Sequence, residues 1–416
     1  MFICIDLKSF YASVECVERG LDPMTTNLVV ADPERHEGTI CLAITPAMKA
    51  LGVKNRCRVF EIPKTIDYIM APPRMQKYID YSAEIYGIYL QYISPDDIHV
   101  YSIDEVFMDV QPYLNRYNKT AKEIAVMLMN EVFEQTGVRA TAGVGSNIYL
   151  TKIALDITAK HSPDFIGELD EDSYRSTLWD HRPLTDFWRI GKATARTLES
   201  MGITTMWQLA CADVDMLYRK FGVDAELLID HAWGREPVQM EHIKKYRSKS
   251  NSITSGQVLM RDYTVDEARL IVAEMIDTLC LDMTANGVST ESVTIGIGYS
   301  HNTPRDTSRG TAHFTDPTNS YSEISRQVLN VYDRIADSDS LVRRLNVSCN
   351  NVKDGNRQIT FTDFLEDKKD KKIQKAMLEI KNRFGKSAVF RARDLQEGAT
   401  ALERNKQIGG HKSGEE

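Results

Sequence analysis

A chain of 416 residues, 42% hydrophobic and 26% charged, has the composition of a folded water-soluble protein, and its length predicts two to four domains. No apolar run approaches the roughly 18 residues that span a bilayer, and a first strand carrying Asp6 is not a signal peptide, so a cytoplasmic protein without a membrane partner is expected. The net charge of −8 argues against a uniformly basic nucleic-acid binder.

The charge is unevenly spread. Residues 1–243 carry 24 Lys and Arg against 35 Asp and Glu, residues 244–357 carry 14 of each, and residues 358–416 carry 13 against 10. An acidic first half that held cations, followed by less acidic parts that gripped phosphate, would bind nucleic acid modestly and with salt sensitivity. The seven cysteines stand at 4, 16, 41, 57, 211, 280 and 349, an odd number with no Cys-x-x-Cys, which argues against a disulfide framework or a zinc site.

In chain order, Phe2–Ile5 is a short apolar run consistent with a buried strand; it ends at Asp6 and passes into a helix-like segment with two aromatics, Phe10 and Tyr11. Strands are expected at Asn27–Ala31 and Gly38–Ala43, then helices at Thr45–Leu51, stopped by Gly52, and at Tyr78–Tyr92. Val100–Val110 reads as a strand with Asp104 and Glu105 at its centre. Neighbours on a strand point to opposite faces, so these two acids share a ligand only at a turn, a strand end or a bulge. The competing reading is a hairpin tip with solvated acids. Asp6, Asp104 and Glu105 together are the minimum inventory for holding two Mg²⁺ ions in a phosphoryl transfer, since hard cations take a few carboxylates plus substrate phosphates.

Asp-Leu-Lys-Ser-Phe-Tyr-Ala-Ser-Val-Glu at 6–15, followed by Tyr-Ser-Ile-Asp-Glu at 101–105, resembles the Y-family (translesion) DNA polymerases. The likeness runs from residue 1 to about 410 and is greatest to the UmuC-like branch of Gram-positive bacteria and their mobile elements. It implies an α+β multidomain right-hand polymerase. A ferredoxin-like palm would span 1–15 and 76–165, small fingers 16–75 and a helical thumb 166–240. A linker at 241–250 would lead to an α+β little finger at 251–353 and a C-terminal tail at 354–416. It implies Asp6, Asp104 and Glu105 as catalytic residues holding two Mg²⁺ ions, with the Leu7 carbonyl as a backbone ligand. Phe10, Tyr11, Thr45, Lys49 and Lys160 would line the nucleotide. Within that set Tyr11 would stand beneath the sugar and exclude a ribose 2′-hydroxyl, while Phe10 packs. Family members often present Tyr and Arg to the triphosphate where this chain has Thr45 and Met48. Arg56 and Arg58 are either template contacts or solvated cations.

The remaining segments fit the same scheme. Asn118–Thr136 is an amphipathic helix and Arg139–Gly145 a strand. Ala142–Asn147 lacks the spacing of a phosphate loop and reads as a tight strand-to-helix turn capped by Ser146 or Asn147. The helix after it carries Lys152 and Lys160, and the resemblance sends Lys160 to the triphosphate. Phe187–Ala195 with Gly202 reads as a helix-hairpin-helix whose turn, at Gly191 and Lys192, would meet a DNA phosphate. Lys244, Lys245, Arg247 and Lys249 mark a basic connector. Strands at 252–259, 293–299, 310–314 and 342–349, with helices at 264–285 and 322–336, form a second α+β pattern; Arg305, Arg309, Arg343 and Arg344 are its candidate phosphate contacts. Gln358–Phe364 is either a sliding-clamp peptide or an edge strand, Asp370–Phe384 is a basic helix, and Asn405–His411 resembles a signature of the Gram-positive branch.

The expected activity is low-fidelity, template-directed DNA synthesis across damage, in repair and the SOS response, on primed template DNA and dNTPs, with an UmuD-like protein as a further possible partner. A nucleotidyl cyclase and a catalytically silent DNA-binding scaffold are the rivals.

Overall fold

The computed structural model describes residues 1–35, 37–247, 251–301, 303, 305–354 and 364–414. The chain is an α+β protein of two compact units, residues 1–246 and 247–415.

The first unit is built on a five-stranded sheet in the order Ile98–Val100, Glu105–Asp109, Phe2–Leu7, Ala140–Gly145, Ile166–Leu169. Neighbours are antiparallel except for the last pair, which is parallel. The central strand Phe2–Leu7 is buried on both faces: Ile3 and Ile5 are sealed on one, Phe2 and Cys4 on the other. Phe2 and Cys4 share a cluster with Phe107, Ile148 and Leu155. Helix Ile148–Ile153 continues as a wider turn over Ala154–Thr158 and a tight one over Ala159–His161. This segment lies so close to the sheet that a Cβ on Gly143 would stand 2.1 Å from the Thr151 carbonyl and one on Gly167 2.2 Å from that of Ala154. The glycines of Ala142–Asn147 therefore serve close packing. Asn147, not Ser146, caps the helix, its Oδ1 accepting from the Leu150 amide at 2.9 Å.

Helix Ala121–Thr136 opens on a reciprocal cap: Thr120 accepts from the Glu123 amide and Glu123 from that of Thr120. It lies on the sheet with Met75–Leu90 beside it. Between Val17 and Met75 the chain makes a small three-stranded sheet in the order Ala43–Ile44, Leu28–Val30, Ile69–Ala71. The strand expected at 38–43 shrinks to Ala43–Ile44 plus one bridge between Ile40 and Arg58. Residues 171–245 are helical, with a core that includes Tyr149, Tyr174, Phe187 and Leu217. The connector expected at 241–250 begins inside a helix, Met240–Lys245: Met240 is buried among Phe2, Cys4 and Phe107, and Lys244 donates to the Pro95 carbonyl at 2.7 Å. Lys249 lies outside the described residues.

The second unit holds a four-stranded antiparallel sheet, in the order Thr307–Thr318, Val288–Tyr299, Val342–Asn350, Ile253–Tyr263. Val293, Ile295, Ile297, Leu345 and Val347 face a core made with helices Val265–Ala285 and Tyr321–Ile335. The C-terminal segment is part of this unit. Helix Phe364–Phe384 packs on Val265–Ala285, where Gln374 donates to the carbonyls of Cys280 (3.2 Å) and Asn319 (3.0 Å). Further along, Arg391 reaches Asp277 at 2.6 Å and Thr400 reaches Glu274 at 2.9 Å. The Asn405–His411 signature closes a small hairpin, Gln407–Ile408 against His411–Lys412, over Gly409 and Gly410, both at positive φ. Residues 358–363, most of the expected clamp peptide, lie outside the described residues.

Candidate active site

The acidic stretch 100–110 is a hairpin rather than one strand. Ile98–Val100 pairs with Glu105–Asp109, and residues 101–104 make the turn, closed by Tyr101 and Ser102 amides on the Glu105 carbonyl. Asp104 ends the turn and Glu105 begins the strand, which is the geometry that frees adjacent acids from opposite faces. Glu105 is the antiparallel partner of Asp6, so their side chains share a face. The Leu7 amide donates to the Asp104 carbonyl at 2.9 Å, tying the turn to the end of the central strand. Three carboxylates thus meet at one end of the central strand.

Their electrostatics follow from that crowding. Burial, then the neighbouring Asp104 and Glu105 carboxylates, push the Asp6 carboxyl up to about 7. Glu105 accepts from Lys152 Nζ at 2.8 Å and from Cys4 Sγ at 3.3 Å, and Asp104 accepts from Ser102 Oγ at 2.6 Å. Lys152 also reaches Asp156 at 3.0 Å. Burial works against its charge, but Asp156 and Glu105 outweigh it and hold the ammonium above the usual lysine range. Among the described residues, no group of three or more His, Cys, Asp or Glu is already arranged as a set of metal ligands. The donor set nonetheless fits a hard dication: three carboxylates faced by one buried lysine leave Asp6 short of positive charge.

Around the acids stand cations and one aromatic. Lys49 is depressed by burial, with Asp6 supporting its charge and Lys160 opposing it. Lys8 is depressed by burial and by Lys49 and Arg139. Lys160 is exposed and lies in the field of Lys49, whose own charge Asp6 supports. Thr45 and Met48, taken as the positions facing a triphosphate, are both fully buried. The Thr45 hydroxyl accepts from the Leu28 amide (3.2 Å) and caps its helix through Met48 (3.4 Å), so it is spent on local structure. Ser9 heads helix Phe10–Val17 in a left-handed conformation, its buried hydroxyl without a hydrogen-bond partner. Phe10 is buried, as expected of a packing residue. The half-buried Tyr11 phenol is raised by burial and by the Asp104 charge, and its ring stacks on Tyr78 at 4.5 Å.

Gly191 is the exposed N-cap of helix Lys192–Ser200, with space for a Cβ that nothing in the fold occupies. In the second unit Arg309 and Arg344 are exposed on the sheet face opposite the helices; Arg305 precedes its strand, and Arg343 is 3.6 Å from Asp262.

The sequence model of the impB/mucB/samB family matches residues 5–156, and that of the family's C-terminal domain matches residues 250–361. The chain is 31% identical to a UV-damage repair protein, UvrX, of Bacillus subtilis (strain 168), across 99% of this chain and 97% of that one. It belongs to the Y family of DNA polymerases. DNA polymerase IV 2 of the same organism is 32% identical across 98% of this polymerase and 97% of that protein. A solved Y-family DNA polymerase chimera, Dbh-Dpo4(243-245)-Dbh, shares the fold with a TM-score of 0.65 over 84% of this polymerase and 98% of that chain, at 21% identity. Two parts of the polymerase's site escaped the sequence reading. Lys152 was visible only as a helix-face cation, and Tyr78 only as one of several packing tyrosines; the partner of each comes from a distant segment.

Proposed function

We propose that this Y-family polymerase performs low-fidelity, template-directed synthesis across damaged DNA in repair and the SOS response. The observation that carries the reading is the register of Asp6 against Glu105, with Asp104 at the adjoining turn. Asp6 and Asp104 would hold two Mg²⁺ ions with the Leu7 carbonyl, and Glu105 would add a ligand to one of them. Bound magnesium supplies the charge that lowers the pKa of the primer 3′-hydroxyl and offsets that of the phosphates. Lys152 orients Glu105 through its 2.8 Å contact. Lys49 and Lys160 face the triphosphate and stabilise charge as pyrophosphate leaves. Tyr11 closes the space beside the sugar 2′-carbon.

The sheet 1–15 with 76–165 is the palm of this reading, 16–75 the fingers, 166–240 the thumb and 251–353 the little finger. Gly191 and Lys192 meet a backbone phosphate, and Arg305, Arg309, Arg343 and Arg344 supply further phosphate contacts. A sliding clamp at Gln358–Phe364 and an UmuD-like protein are its candidate partners.

Primer extension on intact and abasic templates, with and without magnesium, tests the proposal. The expected result is magnesium-dependent extension past the abasic site, abolished by Asp104→Ala. Undiminished extension by Asp104→Ala would overturn the site. Product formation from nucleotide alone, without primed template, would instead favour a cyclase.

A further inference from the structure

Glu15 is a carboxylate with no exposed surface, and the chemistry above gives it no task. It lies on helix Phe10–Val17, one turn beyond Tyr11. Arg74 donates to it through Nε (2.9 Å) and Nη2 (3.0 Å), a two-pronged grip, and Arg19 adds a third guanidinium contact. The Tyr78 hydroxyl donates to its Oε1 at 2.8 Å. Burial opposes the Glu15 charge, and these donors overcome it, holding the carboxyl below its usual range.

The network has a direction. Arg74 stands where the chain leaves the small sheet and enters helix Met75–Leu90, and Tyr78 lies one turn further on. Tyr78 is fully buried, and its ring lies flat against that of Tyr11, with centroids 4.5 Å apart and planes at 16°. Phe10 closes the side at 6.5 Å. An unanchored phenol on this helix could turn or slide; one pinned at its hydroxyl by a buried carboxylate cannot. A steric gate works only if the ring that meets the extra atom cannot retreat, since displacement relieves the clash.

We infer that Glu15, Arg74 and Tyr78 form a positioning network that fixes the Tyr11 ring and so sets the discrimination between deoxy- and ribonucleotides. The inference rests on the reading of Tyr11 as the sugar gate. Glu15 and Arg74 touch no substrate and act through Tyr78. The network also links the entry of helix Met75–Leu90, and thus the small sheet before it, to the floor of the gate.

The test measures kcat/KM for a dNTP and the matching rNTP in single-nucleotide extension. Its variants are Tyr78→Phe, which keeps the ring and removes only the hydroxyl, Arg74→Lys, which keeps the charge and removes the fork, and Glu15→Gln. Thermal melting identifies those that remain folded. Folded variants are expected to lose selectivity by about tenfold, because misplacing a positioned group by on the order of 1 Å changes rates by up to about a hundredfold. The gain should appear mainly as a lower KM for the rNTP. Adding Tyr78→Phe to Tyr11→Ala should change selectivity no further. If Tyr11→Ala admits ribonucleotides while folded Tyr78→Phe and Arg74→Lys keep wild-type selectivity, the network is only structural and the inference falls. If Tyr11→Ala itself leaves selectivity unchanged, the gate reading falls and takes the inference with it.

Discussion

Lys152 shows how one residue can be decisive and invisible in sequence. Its spacing on the helix put it eight residues before Lys160, yet the two do different things: Lys160 is exposed, whereas Lys152 is buried between Glu105 and Asp156. A buried ammonium among carboxylates occupies part of the electrostatic space that a dication would use. Lys152→Met removes a competitor for magnesium and also the contact that orients Glu105. The expected outcome is a lower magnesium concentration for half-maximal extension together with a kcat reduced by about tenfold or more. A magnesium titration of single-nucleotide extension measures both, and an unchanged midpoint would show that Lys152 does not compete.

At the scale of elements, the C-terminal segment differs most from its sequence reading. It carries no long apolar run, and its helix reads as basic. In the fold it lies along Val265–Ala285 through polar side chains: Gln374 on backbone carbonyls, Arg391 on Asp277, Thr400 on Glu274. Arg391 also stacks on Tyr321 at 3.7 Å. Arg391→Met leaves a mostly buried Asp277 carboxylate without its guanidinium, and should destabilise the second unit by about 1–3 kcal/mol; chemical denaturation measures it. Most helices and the longer strands were legible, because amphipathic periodicity and caps such as Thr120 and Thr264 are local signals. The hairpin at 98–109 was legible only as the competing reading of its stretch. Its turn, Tyr101–Asp104, contains no Gly, Pro or Asn, and apolar residues on both arms imitate one continuous strand. Thr45 failed for a related reason: a hydroxyl at a helix start reads equally as a cap or as a ligand group, and only burial decides.

Across the whole molecule, charge is divided between the two units. Residues 1–246 carry nine more acids than bases, and residues 247–415 two more bases than acids. With so little net positive charge, the proposed phosphate contacts would depend on a few exposed arginines, including Arg309 and Arg344. Raising salt from about 50 to about 200 mM should weaken binding to primed duplex by at least about tenfold, with a log–log slope set by the number of phosphates neutralised. Arg344→Ala should make that slope shallower, and fluorescence anisotropy across a salt series reads both. A slope that Arg344→Ala leaves unaltered would remove it from the interface.

The pairing of Asp6 with Glu105 also governs where this gene can tolerate insertions and deletions. The two acids are set by strand register, Asp104 by the amide of Leu7, and the turn itself by the Tyr101 and Ser102 amides on the Glu105 carbonyl. A residue gained or lost between Val106 and Asp109 would flip the side chains that follow it on the strand to the other face. One gained or lost within Tyr101–Asp104 would break the turn that seats Asp104. Length variation should therefore be absent from these nine codons.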